Sequence, residues 1–466
     1  MTKKPAVWIA SMSALLFLVL AVGPVRSLAH ATLVQGWVLS ALMTAIFAGT
    51  LVLSREALHT RREVLLCGAV LALSMLSRAS MLDFHSADYD SFLTKWVDYF
   101  RATGFSALGE NVGDYNLLYQ YALLAIAKIP LFDLYQIKLL TILFDYALAL
   151  AMMKAAGRIV GASTRLPALL ITPLLPTVLL GGACWGQCDA IYASAVILSL
   201  YWLESEKPWR AAAALALAFA FKLQTIFFFP VVLFGLLKGK WKLRHALAFF
   251  GAYLVTLVPA LLAGRSFASA LSVYANQSMG QYYDRLTYNA PNFYLFFPML
   301  EFASSQEFTW MRYIAGIDAK GTNPYLNAAL FPTLQQAALI AAALLTLALV
   351  LYWLLHSAEI APEQTLAFAL FWALFLPFVL PKIHDRYFFL ADMLSLLYAL
   401  KRPDRRFMPL LVVGASLGSY MTFLTRQRPM DERVLALMMF AALFLVGRDL
   451  LVAMRKRRGL AMGGEG

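Results

Sequence analysis

The chain has 466 residues, 61% hydrophobic and 14% charged, with a mean hydropathy of +0.69. Charged residues supply roughly a quarter of an ordinary soluble domain, so a soluble globular protein is excluded and an integral membrane protein is expected. The net charge of +13 does not make a nucleic-acid binder, because the basic residues fall in short loops between apolar runs, where they set orientation in a membrane. Three cysteines, Cys67, Cys184 and Cys188, make no disulfide framework. No histidine or further cysteine stands near the last two to complete a metal shell.

Apolar runs near 6–23, 34–53, 63–81, 136–153, 166–182, 188–204, 208–222, 223–237, 244–264, 329–354, 364–380, 386–401, 407–425 and 431–453 give 14 expected spans, each near the roughly 20 residues that cross a bilayer. None alternates with period two, so the spans are helices and not barrel strands. The first run follows Lys3 and Lys4 and is read as a retained helix, since its exit "VGPVRSLAHA" is a weak cleavage site. With the N-terminus inside, the cytoplasmic segments carry Lys3/Lys4, Arg55/Arg61/Arg62, Lys154/Arg158/Arg165, Lys207/Arg210, Lys238/Lys240/Lys242/Arg244, Lys401/Arg402/Arg405/Arg406 and the four at 455–458. Those are 22 of the 39 Lys and Arg. Both termini are then cytoplasmic. Asn116–Ile129 is apolar enough to cross, but crossing would put every later basic loop outside, so it is read as a helix lying against the outer leaflet.

This topology puts five polar patches on the extracytoplasmic side: 82–115, 183–187, the turn at Lys222, 265–328 and 381–386. The first holds six carboxylates, Asp83, Asp88, Asp90, Asp98, Glu110 and Asp114. In it, Phe92, Trp96, Tyr99 and Phe100 recur at helical spacing, which predicts an amphipathic interfacial helix. Asp88 stands near its start, either as a general base for an acceptor hydroxyl or as the helix N-cap.

"GGACWGQCDAIYAS" brings Gln187 and Asp189 to the outer end of a span. They are suited to sugar hydroxyls, to a phosphate through a cation, or to Lys222. Lys222 lies in an apolar run of about 30 residues that must turn back near it, since a lysine at mid-membrane is costly. It serves a phosphate or an ion pair with Asp189. "LPKIHDRYFF" gathers Lys382, His384 and Arg386 at the mouth of two spans, where they suit a lipid-linked phosphate or act as snorkelling anchors. "YANQSMGQYYDRLTYNAPNFY", with Tyr288, Asn289 and Asn292, reads as a sugar-binding surface or an aromatic belt.

The stretches "CWGQCDAIYAS", "LAFAFKLQTIFFFPVVL", "LTYNAPNFY" and "PKIHDRYFF" resemble bacterial relatives of glycosylphosphatidylinositol-type mannosyltransferases, membrane enzymes of the GT-C fold related to dolichyl-phosphate-glucose-dependent glucosyltransferases. The resemblance covers roughly residues 63–400. It implies an all-α polytopic GT-C-like protein with interfacial helices in the first large external loop. Residues 1–60 are two extra N-terminal helices. Residues 61–403 are the catalytic core, with external loops 82–135 and 265–328, and 404–466 are C-terminal helices with a basic cytoplasmic tail.

The resemblance further implies inverting transfer of a mannose-like hexose from a polyprenyl-phosphate donor to a glycan or lipid acceptor, in the cytoplasmic membrane of a bacterium. Asp88 falls at the family's general base, and Asp114 and Tyr115 match its "GDYN" element, although the family's following prolines are replaced here by "LL". Lys222 and Gln224 match its "FK-Q" element, and His384–Arg386 its donor-phosphate side. Lys382, Arg386 and Lys222 would take the phosphate. Asp90, Asp114, Tyr115, Gln187, Asp189, Gln224, Tyr288, Asn289 and Asn292 would hold sugar or acceptor. No cofactor or metal ligand set is assigned, a divalent ion being the less favoured option, and membrane lipids but not nucleic acid are expected as partners. The alternative is a transporter or flippase of a lipid-linked saccharide. Against it, charge is piled on one face instead of the midplane, and no inverted repeat is evident.

Overall fold

In a computed structural model, the described residues are 15, 17, 18, 21, 23–113, 115–275, 286–297 and 330–463, the side chains at 330–336 and 459–463 apart. In chain order the helices are α1 (Leu33–Leu53), α2 (Arg61–Ala79), α3 (Thr94–Thr103), α4 (Leu117–Ala127), α5 (Asp133–Ile159), α6 (Arg165–Ile171), α7 (Pro176–Leu179), α8 (Asp189–Glu204), α9 (Pro208–Phe221), α10 (Phe229–Leu237), α11 (Ala246–Leu262), α12 (Phe267–Leu271), α13 (Leu330–Leu355), α14 (Thr365–Val379), α15 (Phe389–Lys401), α16 (Met408–Thr425) and α17 (Glu432–Gly463). Two short strands, β1 (Thr287–Tyr288) and β2 (Ile383–His384), pair in parallel. Helix starts follow local chemistry. Thr32 with Gln35 and Thr60 with Glu63 form reciprocal capping boxes at α1 and α2, satisfying backbone N–H groups that the first turn leaves open.

Packing divides the chain into two units, residues 1–226 with 242–278, and residues 227–241 with 279–466. In the first, α5, α8, α9 and α11 pack in succession. The N-terminal helix α1 joins this core through Leu39, Met43 and Phe47, which cluster with Ile142, Tyr146 and Met153 of α5. In the second unit, α14 to α17 pack together, with α10 against α14.

Helices occupy thirteen of the fourteen expected span positions, and the first lies largely outside the described residues. Seven of them are long and apolar enough to cross a membrane, or eight if the bent pair Ala162–Leu174 and Pro176–Trp185 is one span. The rest fall short for a physical reason. α8, α9, α10 and α15 have 16, 14, 9 and 13 residues, and α2 includes Arg61, Arg62, Glu63 and Arg78. The protein is therefore an all-α membrane protein in which several helices stop where polar side chains interrupt the apolar run.

The two faces of α3 carry different side chains. Around α3, Tyr89, Leu93, Val97 and Phe100 are the buried stripe, whereas Phe92 and Tyr99 are exposed. The segment carries aromatics on both sides. Its aliphatic side meets α4, where Leu93, Val97 and Phe100 cluster with Tyr119 and Leu123. That leaves Phe92 and Tyr99 for the outside, as suits a helix at a membrane interface.

Candidate active site

Asp88 sits in the helical turn that leads into the π-helical stretch Tyr89–Leu93. It is not the cap. Ser86 does that work, its Oγ accepting from the Tyr89 backbone N–H at 3.2 Å while donating to the Trp185 carbonyl at 3.0 Å. Asp88 makes no capping bond. Instead its Oδ2 accepts from the Trp185 indole N–H at 2.9 Å and from Gln187 Nε2 at 2.7 Å. The other end of the Gln187 amide, Oε1, accepts from the Tyr115 hydroxyl at 3.0 Å. Tyr115 in turn packs against Trp96 and Tyr119, with ring centroids 5.8 and 4.6 Å apart. A half-buried carboxylate is thus oriented by two donors, and hydrogen bonds to an ionised acceptor are the stronger kind.

The loop that supplies those donors is shaped by its glycines. Leu180–Trp185 is a π-helix, and Gly186 follows at φ +78, a left-handed backbone that a residue with a Cβ adopts at a cost. Gly186 turns the chain so that Gln187 faces Asp88 and α8 starts at Asp189. There Lys222 Nζ donates to Asp189 Oδ1 at 2.6 Å, with the two side chains 6% and 3% exposed. Lys222 stands where α9 stops, in extended backbone at φ −151 and ψ 134. The expected break falls there, and of the partners open to Asp189 and Lys222 the structure joins them to each other. Next to Lys222, Gln224 is buried, and its Oε1 meets no donor among the described residues.

Asp90 points away from this cluster. It is exposed and paired with His85 at 3.0 Å, as its place two residues along a helix requires. Asp98 pairs with Arg101, which also reaches Asp133, and Glu110 accepts from the Tyr99 hydroxyl at 2.6 Å. Asp114 lies outside the described residues.

In the second unit, two motifs some 95 positions apart in sequence form one ladder. Thr287 pairs with Ile383 and Tyr288 with His384, and the Tyr288 and His384 rings stack with centroids 4.6 Å apart at 14°. The Lys382 N–H donates to the Leu286 carbonyl at 2.8 Å and the Asp385 N–H to the Tyr288 carbonyl at 3.0 Å. Lys382 and Asn289 both hold positive φ, 61 and 55, a conformation uncommon outside glycine. The ladder brings Lys382, His384, Arg386, Tyr288 and Asn289 together on a braced turn. Asn292 is fully buried nearby. Its Oδ1 accepts from the Tyr294 N–H at 3.2 Å, while its Nδ2 finds no acceptor among the described residues.

Sequence reasoning passed over several residues that shape these sites. Trp185, inside "CWGQCD", donates its indole N–H to Asp88. Asp385, between His384 and Arg386, is buried at 3% exposure. Lys138 donates to the Met81 and Phe84 carbonyls at 2.6 Å each, tying α5 to the turn that precedes Asp88. Arg78 is paired with Asp145 at 3.0 Å with both side chains buried, and it also reaches the Pro173 carbonyl at 2.9 Å. A signal existed for Lys138, Arg78 and Asp145: a lone charge inside an apolar run needs a partner.

The model of glycosyltransferase family 87 matches residues 119–381, more than half of the chain. That stretch includes Gln187, Asp189, Lys222, Gln224, Tyr288, Asn289 and Asn292. Asp88 precedes it, and Lys382, His384 and Arg386 follow directly after its end. No curated protein and no solved structure matches the chain. The helical membrane fold and this match agree, and the chain belongs to glycosyltransferase family 87.

Proposed function

We propose that this glycosyltransferase moves a hexose, mannose-like, from a polyprenyl-phosphate donor to a glycan or lipid acceptor of the cell envelope, with inversion at the anomeric carbon. In this reading the chain has 14 spans with both termini cytoplasmic in the inner membrane of a bacterium, and transfer occurs on the outer face. Asp88 is the general base. An acceptor hydroxyl is a poor nucleophile until a base shares its proton. As the hydroxyl oxygen bonds to the anomeric carbon, the bond to the lipid phosphate breaks, the proton passes to Asp88 and the phosphate leaves with its charge.

The observation that carries this reading is the Trp185–Asp88–Gln187–Tyr115 chain of hydrogen bonds. It spends three side chains on holding one carboxylate that has no capping task, as preorganised catalytic groups require. The departing phosphate would be met by Lys382 and Arg386, with His384 on the same turn, since developing charge calls for fixed cations. Tyr288, Asn289, Asn292, Gln224, Tyr115, Asp90, Asp114 and the Lys222–Asp189 pair would contact or shape the sugar and acceptor regions. The reaction as proposed runs without a resident metal or cofactor. The test is transfer by purified protein from polyprenyl-phosphate-hexose, with Asp88→Asn as control. Equal rates for the two proteins would remove Asp88 from the mechanism.

A further inference from the structure

The second unit contains an apolar groove with a cationic end that the transfer reaction does not use. α13 is the most outward-facing of its helices, with 11% of its Ala337–Leu355 window buried. Beside α10 and α14 it leaves a shallow apolar groove, lined among others by Phe234, Leu237, Val350, Trp353 and Trp372. Trp353 and Trp372 are 5% and 0% exposed, and neither indole N–H finds an acceptor among the described residues. One end of the groove is cationic. Lys238 directly follows Leu237, donates to the Ser357 carbonyl and stands 5.8 Å from the centre of the Phe234 ring. Burial first, and then the neighbouring Arg457, hold the pKa of Lys238 below its usual value. Arg455, Lys456, Arg457 and Arg458 are all exposed at this end of α17, and Arg458 lies 4.0 Å from Glu359.

We propose that this groove binds one anionic phospholipid, an acyl chain lying among α10, α13 and α14 and the phosphate against Lys238 and Arg457. Charge complementarity selects this occupant. Two neighbouring cations repel, and a phosphate diester relieves that repulsion while supplying charge-assisted acceptors. Water is a poor filling for an apolar groove. A lipid covers it with methylenes packed on the aromatic faces of Trp353 and Trp372. Basic clusters at helix ends attract anionic headgroups in the same way. The proposal does not depend on the donor or on Asp88.

Native mass spectrometry of the full-length protein in detergent, titrated with phosphatidylglycerol or phosphatidylcholine, tests it. We expect phosphatidylglycerol to bind about tenfold or more tightly than phosphatidylcholine, a preference that two surface cations can supply. Lys238→Gln with Arg457→Gln should abolish the preference, Lys238→Arg should keep it, and Trp353→Phe should weaken binding of both lipids. sn-Glycerol 3-phosphate alone should not compete. Equal affinity for the two lipids in the wild type would overturn the proposal. So would an unchanged preference in the double variant, or full competition by glycerol phosphate, which would mark a bare anion site.

Discussion

The Trp185 indole donates its N–H to the carboxylate of Asp88 at 2.9 Å across 97 residues of sequence. With Gln187 at 2.7 Å, it joins the segment that leads into α3 to the loop between α7 and α8. The segment's remaining carboxylates are engaged otherwise or lie outside the described residues. This makes Asp88 the position at which substitution is most informative.

Asp88→Asn keeps shape and an acceptor oxygen for Trp185 and Gln187 but removes the base. Turnover should fall roughly 10²–10⁴-fold, the usual worth of general acid–base catalysis, with thermal stability unchanged. Asp90→Asn should be much milder, because Asp90 is exposed and tied to His85. A nearly normal Asp88→Asn beside a dead Asp90→Asn would exchange the roles.

Trp185→Phe removes one hydrogen bond to that carboxylate and little volume. Bonds to charged groups contribute roughly 1.5–3 kcal/mol, so kcat should drop by about one to two orders of magnitude while the donor KM stays near wild type. A change confined to KM would mean that Trp185 contacts substrate instead of positioning Asp88.

Lys382→Ala and Arg386→Ala should each weaken use of the lipid-phosphate donor by roughly 2–5 kcal/mol, the scale of truncating one partner of a buried charge pair. The effect should appear in donor affinity measured with both substrates varied. Wild-type affinity in both variants would leave these cations as interfacial anchors.

Arg78→Met leaves Asp145 buried without its partner and should destabilise the protein by about 3–5 kcal/mol, whereas Arg78→Met with Asp145→Leu should recover most of that loss. Thermal unfolding in detergent reads both. If the double variant is no better than the single, the pair has a role beyond neutralising charge.

Much of the fold was legible because membrane sequences state their spans openly. The apolar runs mark helices, and the stop at Lys222 was foreseeable from the cost of placing an ammonium at mid-membrane. The polar motifs were legible as islands in an apolar chain. Their pairings were not. Lys222 meets Asp189 across 33 residues and Tyr288 meets His384 across 96, distances over which single-sequence periodicity carries no information. Which face of α3 meets the protein was not legible, because aromatics occupy both sides and only the aliphatics Leu93 and Val97 distinguish them. Asp88 was open to a capping role until Ser86, two residues before it, was seen to hold the cap.

The central claim is that a polyprenyl-phosphate sugar is the donor and that Asp88 activates the acceptor. The most direct measurement is transfer by the purified protein from a panel of polyprenyl-phosphate hexoses and nucleotide hexoses, with wild type and Asp88→Asn side by side. The account predicts product from a polyprenyl-phosphate hexose alone, with inverted anomeric configuration, and a loss of at least about 100-fold in the variant. Transfer from a nucleotide sugar, retention of configuration, or an unimpaired Asp88→Asn would contradict it.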